Sequence, residues 1–432
     1  MHTPRITLPG IIALLLASSL TIMVGCAITP ALPAIGQHYG MGRFSGWLVT
    51  TPALGVIVYA LTLGRLTDRI GPWKTAIAGL SAYGILGIAG PLMPGKITLL
   101  ADRFLLGIAT AAVMTASTAL IARFWQGEKQ LNMIALQGMA IEGGGVIFLF
   151  IGGLLAETGW QAPFAIYAVA FIALIMSIRH IPRPADTGQD TADDTGTPAP
   201  RQHAWPVFAL AFASMLTFFS AIVILPGHLQ DNLGHSPAFT GGYLASLSLV
   251  AITAAALMPK VVARFGEHTA LTLAFIAYGC AHLLFCTGEN LPTLAAAALC
   301  IGTGFGFSIP LLASMTIACS PAGRRGTWLG YYAMATFSGQ FLSSALITCL
   351  SGKTAFAAAA LIAAATATAI RFIPRPTGKT RRACHRHHHN ATRHAPSAIG
   401  KTATGNNGKP RKEKDRRTAD TPAKHRPDTG VQ

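Results

Sequence analysis

The sequence predicts an all-α membrane protein with twelve membrane-spanning helices, arranged as two similar six-helix halves. Three observations support this prediction: long apolar runs with few charges, Lys and Arg concentrated in alternate connections, and one loop sequence that recurs in each half. Of the 432 residues, 51% are hydrophobic and 11% are charged, whereas soluble domains carry about 25% charged residues. This composition excludes a set of soluble domains, a disordered chain and a disulfide scaffold.

Apolar runs define the spans, because a helix of about 20 residues crosses the roughly 30 Å hydrocarbon layer of a bilayer. The first run is too long for the core of a signal peptide and eleven more follow it, so we interpret it as a helix. The predicted spans are residues 8–33, 45–64, 75–93, 97–122, 131–155, 161–180, 205–227, 239–260, 269–287, 291–318, 326–350 and 353–372.

The positions of Lys and Arg predict the orientation. With the N-terminus in the cytoplasm, 14 of the Lys and Arg residues before residue 374 fall in cytoplasmic connections. Only Arg43, Lys96 and Lys353 fall outside, and Arg103 lies within a span. Because cytoplasmic loops are enriched in Lys and Arg, we expect both termini to be cytoplasmic.

The longest internal connection, residues 181–204, contains four Asp residues together with Pro and Gly, a composition typical of linkers. We expect it to join an N-terminal six-helix bundle, residues 1–180, to a C-terminal one, residues 205–373.

The formal net charge of +17 comes mainly from the last segment, residues 374–432. This segment holds 15 Lys and Arg against 4 Asp and Glu, which leaves 18 against 12 for the rest of the chain. It is too polar to bury a core, so we expect a disordered cytoplasmic tail. We interpret it as a tail that lies on anionic lipid. A weak metal site in the His-rich residues 384–389 and a passive tail are the alternatives, and no nucleic-acid partner is expected.

One loop recurs at the same position in both halves. GRLTDRIGPWKTA, residues 64–76, follows the second span, and PKVVARFGEHTA, residues 259–270, follows the eighth. Arg69 and Gly71 align with Arg264 and Gly266, each 195 residues later. Repeated six-helix halves are typical of transporters that rock around a site near the bilayer midplane.

The first of these loops resembles the helix 2–3 signature of the major facilitator superfamily, and the resemblance extends over residues 1–373. The matching residues are Gly64, Asp68, Arg69, Gly71 and Lys74. The resemblance implies the major facilitator fold and a cytoplasmic gate in which Asp68 and Arg69 lock this turn against the eleventh helix. Arg264 and Gly266 would belong to the same gate in the second copy. A solvated cluster of loop charges is the alternative.

Two further motifs carry the resemblance. Arg103 and Gly107 match the family's helix 4 signature, and GGLLAETGWQAPF, residues 152–164, is similar to the helix 5–6 junction of drug:proton antiporters. The resemblance implies proton-coupled export. Residues 148–151 read FLFI where those antiporters have a Gly-Pro pair, so import of a metabolite stays open.

Three ionisable residues, Asp102, Arg103 and Glu142, lie well inside the predicted spans. A charge there costs at least about 2.5–3.5 kcal/mol, which favours a functional role. At 1.5 Å per residue, Glu142 lies about 16 Å from the cytoplasmic end of its span, which is roughly 20 Å below the outer face, whereas Arg103 lies about 9 Å below the outer face. Because these depths differ by about 10 Å, we expect no direct ion pair between the two residues. Because adjacent helix positions diverge, we expect Asp102 to point away from Arg103, toward the outer vestibule.

A carboxyl group that is neutral when dry and ionised when hydrated can carry a proton. We therefore predict that Glu142 couples transport to protons or binds a cationic substrate, with Arg103 and Asp102 in the same proton-coupling set. The alternatives are a protonated Glu142 hydrogen-bonded in the bundle core and an Arg103 that clamps helix-end carbonyls.

A few polar and aromatic side chains are candidates to line a substrate cavity between the halves. They are Thr21, Thr29, Gln137, Thr217, Ser220, His282, Tyr331 and Gln340. Such a largely apolar cavity with one acid suits amphipathic or cationic organic compounds. A lone histidine such as His282 is more often a packing residue.

The sequence thus predicts a monomeric, multi-pass plasma-membrane transporter that exports small organic compounds in exchange for protons. It is not expected to be an enzyme or to hold a cofactor. The seven cysteines show no CxxC spacing, so neither a disulfide framework nor a zinc site is expected. An importer or facilitator, and a non-transporting sensor or scaffold, are the alternatives.

Overall fold

The computed structural model describes residues 6–126, 128–183, 205–320, 325–350 and 352–372. Most of the predicted linker and the predicted tail lie outside these residues. Within them the chain forms helices joined by short turns and no strand. The α-helices are α1 (Leu8–Cys26), α2 (Leu32–His38), α3 (Trp47–Ile70), α4 (Pro72–Ala89), α5 (Lys96–Phe124), α6 (Glu128–Ala156), α7 (Val169–His180), α8 (Trp205–Gly227), α9 (Pro237–Phe265), α10 (Glu267–Thr287), α11 (Leu291–Cys319), α12 (Arg325–Cys349) and α13 (Lys353–Ala369).

Eleven helical segments among the described residues are long and apolar enough to cross a membrane. The remaining long helix, α12, has the length of a span but is more polar. Its Thr336, Gln340, Ser343 and Ser344 are buried, so this polar face points into the bundle. The twelve predicted spans therefore correspond to eleven apolar segments and one helix with a polar inner face.

The outer surface of the bundle is apolar. Ile97 is 77% exposed and Leu361 is 72% exposed, positions that water would disfavour but a hydrocarbon layer would not. The protein is accordingly a multi-pass membrane protein.

Two large hydrophobic clusters form the interior. One is built almost entirely from α1 to α7 and includes Leu20, Leu106 and Tyr167. The other is built almost entirely from α8 to α13 and includes Leu247 and Phe285. We call the segments before and after the linker the first and second half.

The repeated loop has the same backbone conformation in both halves. Gly71 separates α3 from α4 with φ +88°, and Gly266 separates α9 from α10 with φ +84°. Both glycines donate their amide to a carbonyl four residues back, that of Thr67 or Val262. Only glycine adopts this left-handed region at little cost, which explains why both copies have it.

The 195-residue offset extends to helix packing. Gly107 of α5 lies against the carbonyl of Pro52 in α3, and Gly302 of α11 lies against the carbonyl of Leu247 in α9. Gly302 lies 195 residues after Gly107, and Leu247 lies 195 residues after Pro52. Small residues let membrane helices approach closely, so these glycines set the spacing of equivalent helix pairs.

We predict that Gly107→Ala destabilises the protein by about 1–3 kcal/mol, the usual range for an overpacked interior. A Cβ at position 107 would overlap the Pro52 carbonyl, so α3 and α5 would have to separate. The control is Gly138→Ala in α6, where a Cβ meets no atom within 4 Å and alanine favours the helix. Thermal unfolding in detergent checks both variants, and equal melting temperatures would contradict the prediction.

Candidate functional site

Glu142 lies on a face of α6 whose surroundings change along the helix. Toward residue 156, Gly145 and Leu149 follow it at helical spacing and are buried. Toward residue 128, Ala135 and Gly138 precede it at the same spacing and are exposed. Glu142 itself is half-buried. These residues form one stripe along α6, and Glu142 lies where the stripe changes from buried to exposed.

The buried part of this stripe contacts helices of both halves. A Cβ at Gly145 would lie 3.2 Å from Ile22 in α1 and 3.8 Å from the Ser248 hydroxyl in α9. Among the described residues, Glu142 has no hydrogen-bonding or ion-pairing partner. A carboxyl group at the junction of the two halves is free to interact with a proton or a cation.

The two ends of the bundle differ in how the halves meet. We call the end with the turns at Gly71 and Gly266 the Gly71 end, and the opposite end, where α6 finishes, the Glu157 end. Five hydrogen bonds join described residues of one half to described residues of the other, and all five lie at the Glu157 end. They are Arg43 Nη1 to Thr348 O at 3.4 Å, Trp47 Nε1 to Thr348 Oγ1 at 2.8 Å, Thr50 Oγ1 to Ser344 Oγ at 2.7 Å, Gln230 Nε2 to Pro30 O at 2.7 Å and Ala238 N to Glu157 Oε1 at 2.9 Å.

Close glycine contacts lie at the same end. A Cβ at Gly153 of α6 would lie 2.8 Å from Gly241 Cα in α9, and one at Gly46 would lie 3.2 Å from Ser344 Oγ in α12. Gly46 and Gly241 are again 195 residues apart. The described residues thus form a bundle whose halves are sealed at the Glu157 end by two equivalent contacts.

The predicted gate residues lie at the Gly71 end. Asp68, Arg69 and Lys74 are exposed, and a Cβ at Gly64 would meet no atom within 4 Å. No ion pair joins Asp68 to another residue that the structure describes. The gating role of Gly64, Asp68, Arg69, Gly71 and Lys74 remains a prediction.

In the second copy of the loop, the Arg264 guanidinium lies 5.4 Å from the centroid of the neighbouring Phe265 ring. The role of Arg264 and Gly266 in the gate likewise remains a prediction.

The expected separation of Asp102 from Arg103 is wrong. Asp102 Oδ2 lies 2.6 Å from Arg103 Nη2 and accepts a second bond from Nε at 3.0 Å. Both side chains are buried, with Arg103 fully inaccessible. Helix geometry fixes only the Cα–Cβ directions, and the long arginine side chain folds back across its neighbour. Asp102 does not point into a separate vestibule.

Arg103 also connects three helical segments. Its Nη2 donates to the carbonyl of Leu86 at 3.1 Å, near the end of α4, and its Nη1 donates to the Tyr167 hydroxyl at 3.3 Å. The guanidinium carbon lies 5.3 Å from the centroid of the Phe164 ring. These contacts are those of a clamp on helix-end carbonyls. No ion pair joins Arg103 to Glu142, as the difference in depth predicts.

The predicted hydroxyls of the cavity bond to their own helices. Thr21, Thr29, Thr217 and Ser220 each donate to a carbonyl three or four residues back. Such bonds occupy the hydroxyl proton and leave only oxygen lone pairs for a ligand.

Two other predicted cavity residues make buried contacts. Gln137 Nε2 donates to Ser18 Oγ at 3.0 Å within the first half. His282 is fully buried in the core of the second half, where Nε2 lies 3.0 Å from the Thr217 carbonyl. The bonding of His282 is that of a packing histidine.

Tyr331 and Gln340 lie on opposite faces of α12, because nine residues correspond to two and a half helical turns. Gln340 is buried, whereas Tyr331 is 47% exposed. Tyr331 lines a groove of about 570 Å³ between α8 and α12. The other lining residues are Trp205, Phe208, Ala209, Phe212, Met334, Ala335 and Ser338. Tyr331 and Gln340 therefore do not contribute to one cavity surface.

No group of three His, Cys, Asp or Glu side chains able to hold a metal occurs in the described part of the chain. The His-rich residues 384–389, for which the sequence left a metal site open, lie outside that part.

Sequence reasoning missed the contacts that close the Glu157 end. Thr50 and Ser344 are separated by 294 residues, and Glu157 and Ala238 by 81. The only signal available was local: Ser236 followed by Pro237 is typical of a helix start.

A helical bundle with two equivalent halves, sealed at one end and with an acid at the junction, defines a class of membrane transport proteins. A family model described as the Major Facilitator Superfamily matches residues 14–344 and again residues 207–401. The chain belongs to the Major Facilitator Superfamily, whose members are transporters and not enzymes.

Several curated proteins are similar in sequence. The puromycin resistance protein pur8 of Streptomyces alboniger is 28% identical over 42% of this chain and 36% of its own length. The methyl viologen resistance protein SmvA of Salmonella typhimurium is 28% identical over 50% of this chain and 43% of its own length. The multidrug resistance protein Stp of Mycobacterium tuberculosis is 22% identical over 69% and 67%. The chain thus spans less than half the length of the first two.

Solved structures share the fold. A mutant of the peptide transporter POT superposes with a TM-score of 0.70 at 12% identity, over 85% of this chain and 95% of that one. A bacterial homologue of the human lysosomal transporter Spinster gives 0.67 at 16% identity, over 86% and 97%.

Proposed function

We propose that this chain exports small amphipathic or cationic organic compounds in exchange for protons, by alternating access. The observation that carries the proposal is the position of Glu142, a carboxyl group without a partner among described residues. It lies where the face of α6 passes from buried to accessible. An acid at that place can meet water from one end in one state and from the other end in the next.

The conformation supports alternating access. The hydrogen bonds between described residues of the two halves lie at the Glu157 end, so we interpret this state as closed at that end and open toward the Gly71 end. We assign the Gly71 end to the cytoplasm, because the Lys and Arg residues concentrate there. In the opposite state, Asp68 and Arg69 would close the Gly71 end against α12, which is the eleventh predicted span. Residues 1–180 and 205–373 would move as two bodies between the two states.

We assign proton coupling to Glu142 rather than to the Asp102–Arg103 pair. The pair is internally neutralised, and Arg103 is bonded to α4 and to Tyr167. Proton transfer there would leave a charge unpaired in the interior, which costs several kcal/mol. The pair therefore holds the first half together while Glu142 carries the proton.

The substrate class follows from the apolar surroundings and from the relatives. A single acid in an apolar environment attracts a cation with an apolar body. The relatives named for resistance to puromycin and to methyl viologen are consistent with substrates of that kind. We also propose that residues 374–432 lie on the anionic inner leaflet.

Proteoliposomes with an imposed pH gradient test the proposal, with methyl viologen and puromycin as probes. We expect accumulation of at least one probe, driven by the gradient and lost when an ionophore collapses the gradient. Equal flux with and without the gradient would favour a facilitator. No flux of any probe would favour a sensor or scaffold and would contradict the proposal.

A further inference from the structure

The residue after α6 reaches the other half of the molecule. Glu157 Oε1 accepts a hydrogen bond of 2.9 Å from the backbone amide of Ala238, the second residue of α9. The next amide, that of Phe239, donates to Ser236 Oγ at 3.2 Å. The start of α9 therefore has one cap from its own chain segment and a second from the first half. We call the Glu157–Ala238 bond the latch.

A carboxylate suits this position for two reasons. The first amides of a helix have no partner within the helix, and the helix dipole places partial positive charge there. The Ala238 amide, and then the Ser236 hydroxyl, hold the pKa of the Glu157 carboxyl below its usual range. The latch is therefore at full strength above about pH 4.3, the ordinary value for glutamate, and is lost as the pH falls through the lowered pKa.

Other titratable groups lie on the chain segments next to the latch. On the α9 side they are His235, whose ring stacks on Phe239 at 4.0 Å, and Asp231 in the preceding turn. On the α6 side, His38 stacks on Trp160 at 4.2 Å. No ion pair of the described residues involves Glu157, so its own ionisation determines the pH dependence.

The latch depends on the conformation of the whole bundle. One helical turn before it, Gly153 and Gly241 bring α6 and α9 into backbone contact. When the Glu157 end opens, this contact must separate, and Glu157 then loses the Ala238 amide. The bond thus exists only while that end is closed.

We propose that Glu157 is a state-selecting residue of the transport cycle. Its carboxylate caps α9 from the opposite half and stabilises the conformation that is closed at the Glu157 end. The inference rests on the proposed alternating access, but it concerns the balance of the two conformations rather than the coupled proton.

Spin labels at two exposed positions of the Glu157 end measure that balance. Lys96 and Leu291 are the first residues of α5 and α11, and both are exposed. Electron–electron distance measurements on Lys96→Cys/Leu291→Cys, in a chain otherwise free of cysteine, report the separation of the halves. The variants are Glu157→Ala and Glu157→Gln. The matched control is Glu289→Gln, whose carboxylate lies 3.3 Å from Lys353 Nζ within the second half.

Glu157→Ala removes both the acceptor and the charge, and we expect a roughly twofold to tenfold rise in the ratio of open to closed ends, the effect of losing a helix cap. Glu157→Gln keeps an acceptor oxygen, so the rise should be smaller. Glu289→Gln should change nothing. Lowering the pH stepwise below the ordinary glutamate value should progressively open the unmodified end and leave Glu157→Gln unaffected.

The latch is overturned if Glu157→Ala elutes as a folded protein in size-exclusion chromatography and yet gives the same distances between the spin labels as Glu289→Gln. It is also overturned if acid opens the Glu157→Gln end as readily as the unmodified end. Because the labels report conformation and not flux, an opened end without any probe transport would support the latch while contradicting the proposed function.

Discussion

Glu142→Gln is expected to abolish gradient-driven accumulation of substrate while leaving the fold intact. Glutamine has nearly the same shape but cannot exchange a proton, and Glu142 has no bonding partner among described residues to lose. With a gradient of about one pH unit and no membrane potential, exchange of one proton for one substrate molecule sustains about a tenfold concentration ratio, since 1.4 kcal/mol is a factor of ten. The variant should reach a ratio near one.

The control for this variant is Glu267→Gln. Glu267 begins α10, is exposed and lies at the Gly71 end, so it loses the same charge without touching the junction of the halves. Proteoliposome uptake of methyl viologen measures both variants. Accumulation by Glu142→Gln equal to that of the unmodified chain at each pH would remove Glu142 from the coupling mechanism.

Arg103→Ala is expected to destabilise the protein by about 3–5 kcal/mol, the cost of breaking a buried ion pair by removing one partner. The substitution leaves the Asp102 carboxylate buried without its cation. It also leaves the Leu86 carbonyl and the Tyr167 hydroxyl without the guanidinium donor. Thermal unfolding in detergent should show a large drop in melting temperature.

The comparison with Glu142→Gln separates a clamp from a coupling residue. We expect Arg103→Ala to lose stability, and Glu142→Gln to lose coupling at unchanged stability. A stable Arg103→Ala protein that has lost only its pH dependence would instead assign Arg103 to proton coupling.

The number and position of the helices were accessible from sequence because long apolar runs in a membrane protein have one structural outcome. The repeat could be recognised because Arg69 and Gly71 recur 195 residues later as Arg264 and Gly266. The structure shows that Gly107 and Gly302, which are the same distance apart in sequence, occupy equivalent packing positions.

The errors have physical causes. Asp102 was expected to turn away from Arg103 because backbone periodicity was applied to a side chain long enough to fold back. Tyr331 and Gln340 were assigned to one cavity although their nine-residue spacing places them on opposite faces of a helix.

The contacts of the Glu157 end could not have been read from the sequence. The bond from Glu157 to Ala238 depends on how two separately built halves meet, and no local pattern encodes that geometry. The sequence shows the Ser236 cap of α9 but not the second cap that the first half supplies.

Proton movement caused by substrate tests the central claim most directly. Liposomes that contain the protein and a trapped pH indicator are given methyl viologen or puromycin with no imposed gradient. If the account is right, entry of at least one probe into liposomes with the unmodified protein moves protons outward and raises the internal pH. In liposomes with Glu142→Gln, the internal pH should not change. Entry of either probe at unchanged internal pH, with the same rate in both proteins, would contradict proton exchange at Glu142.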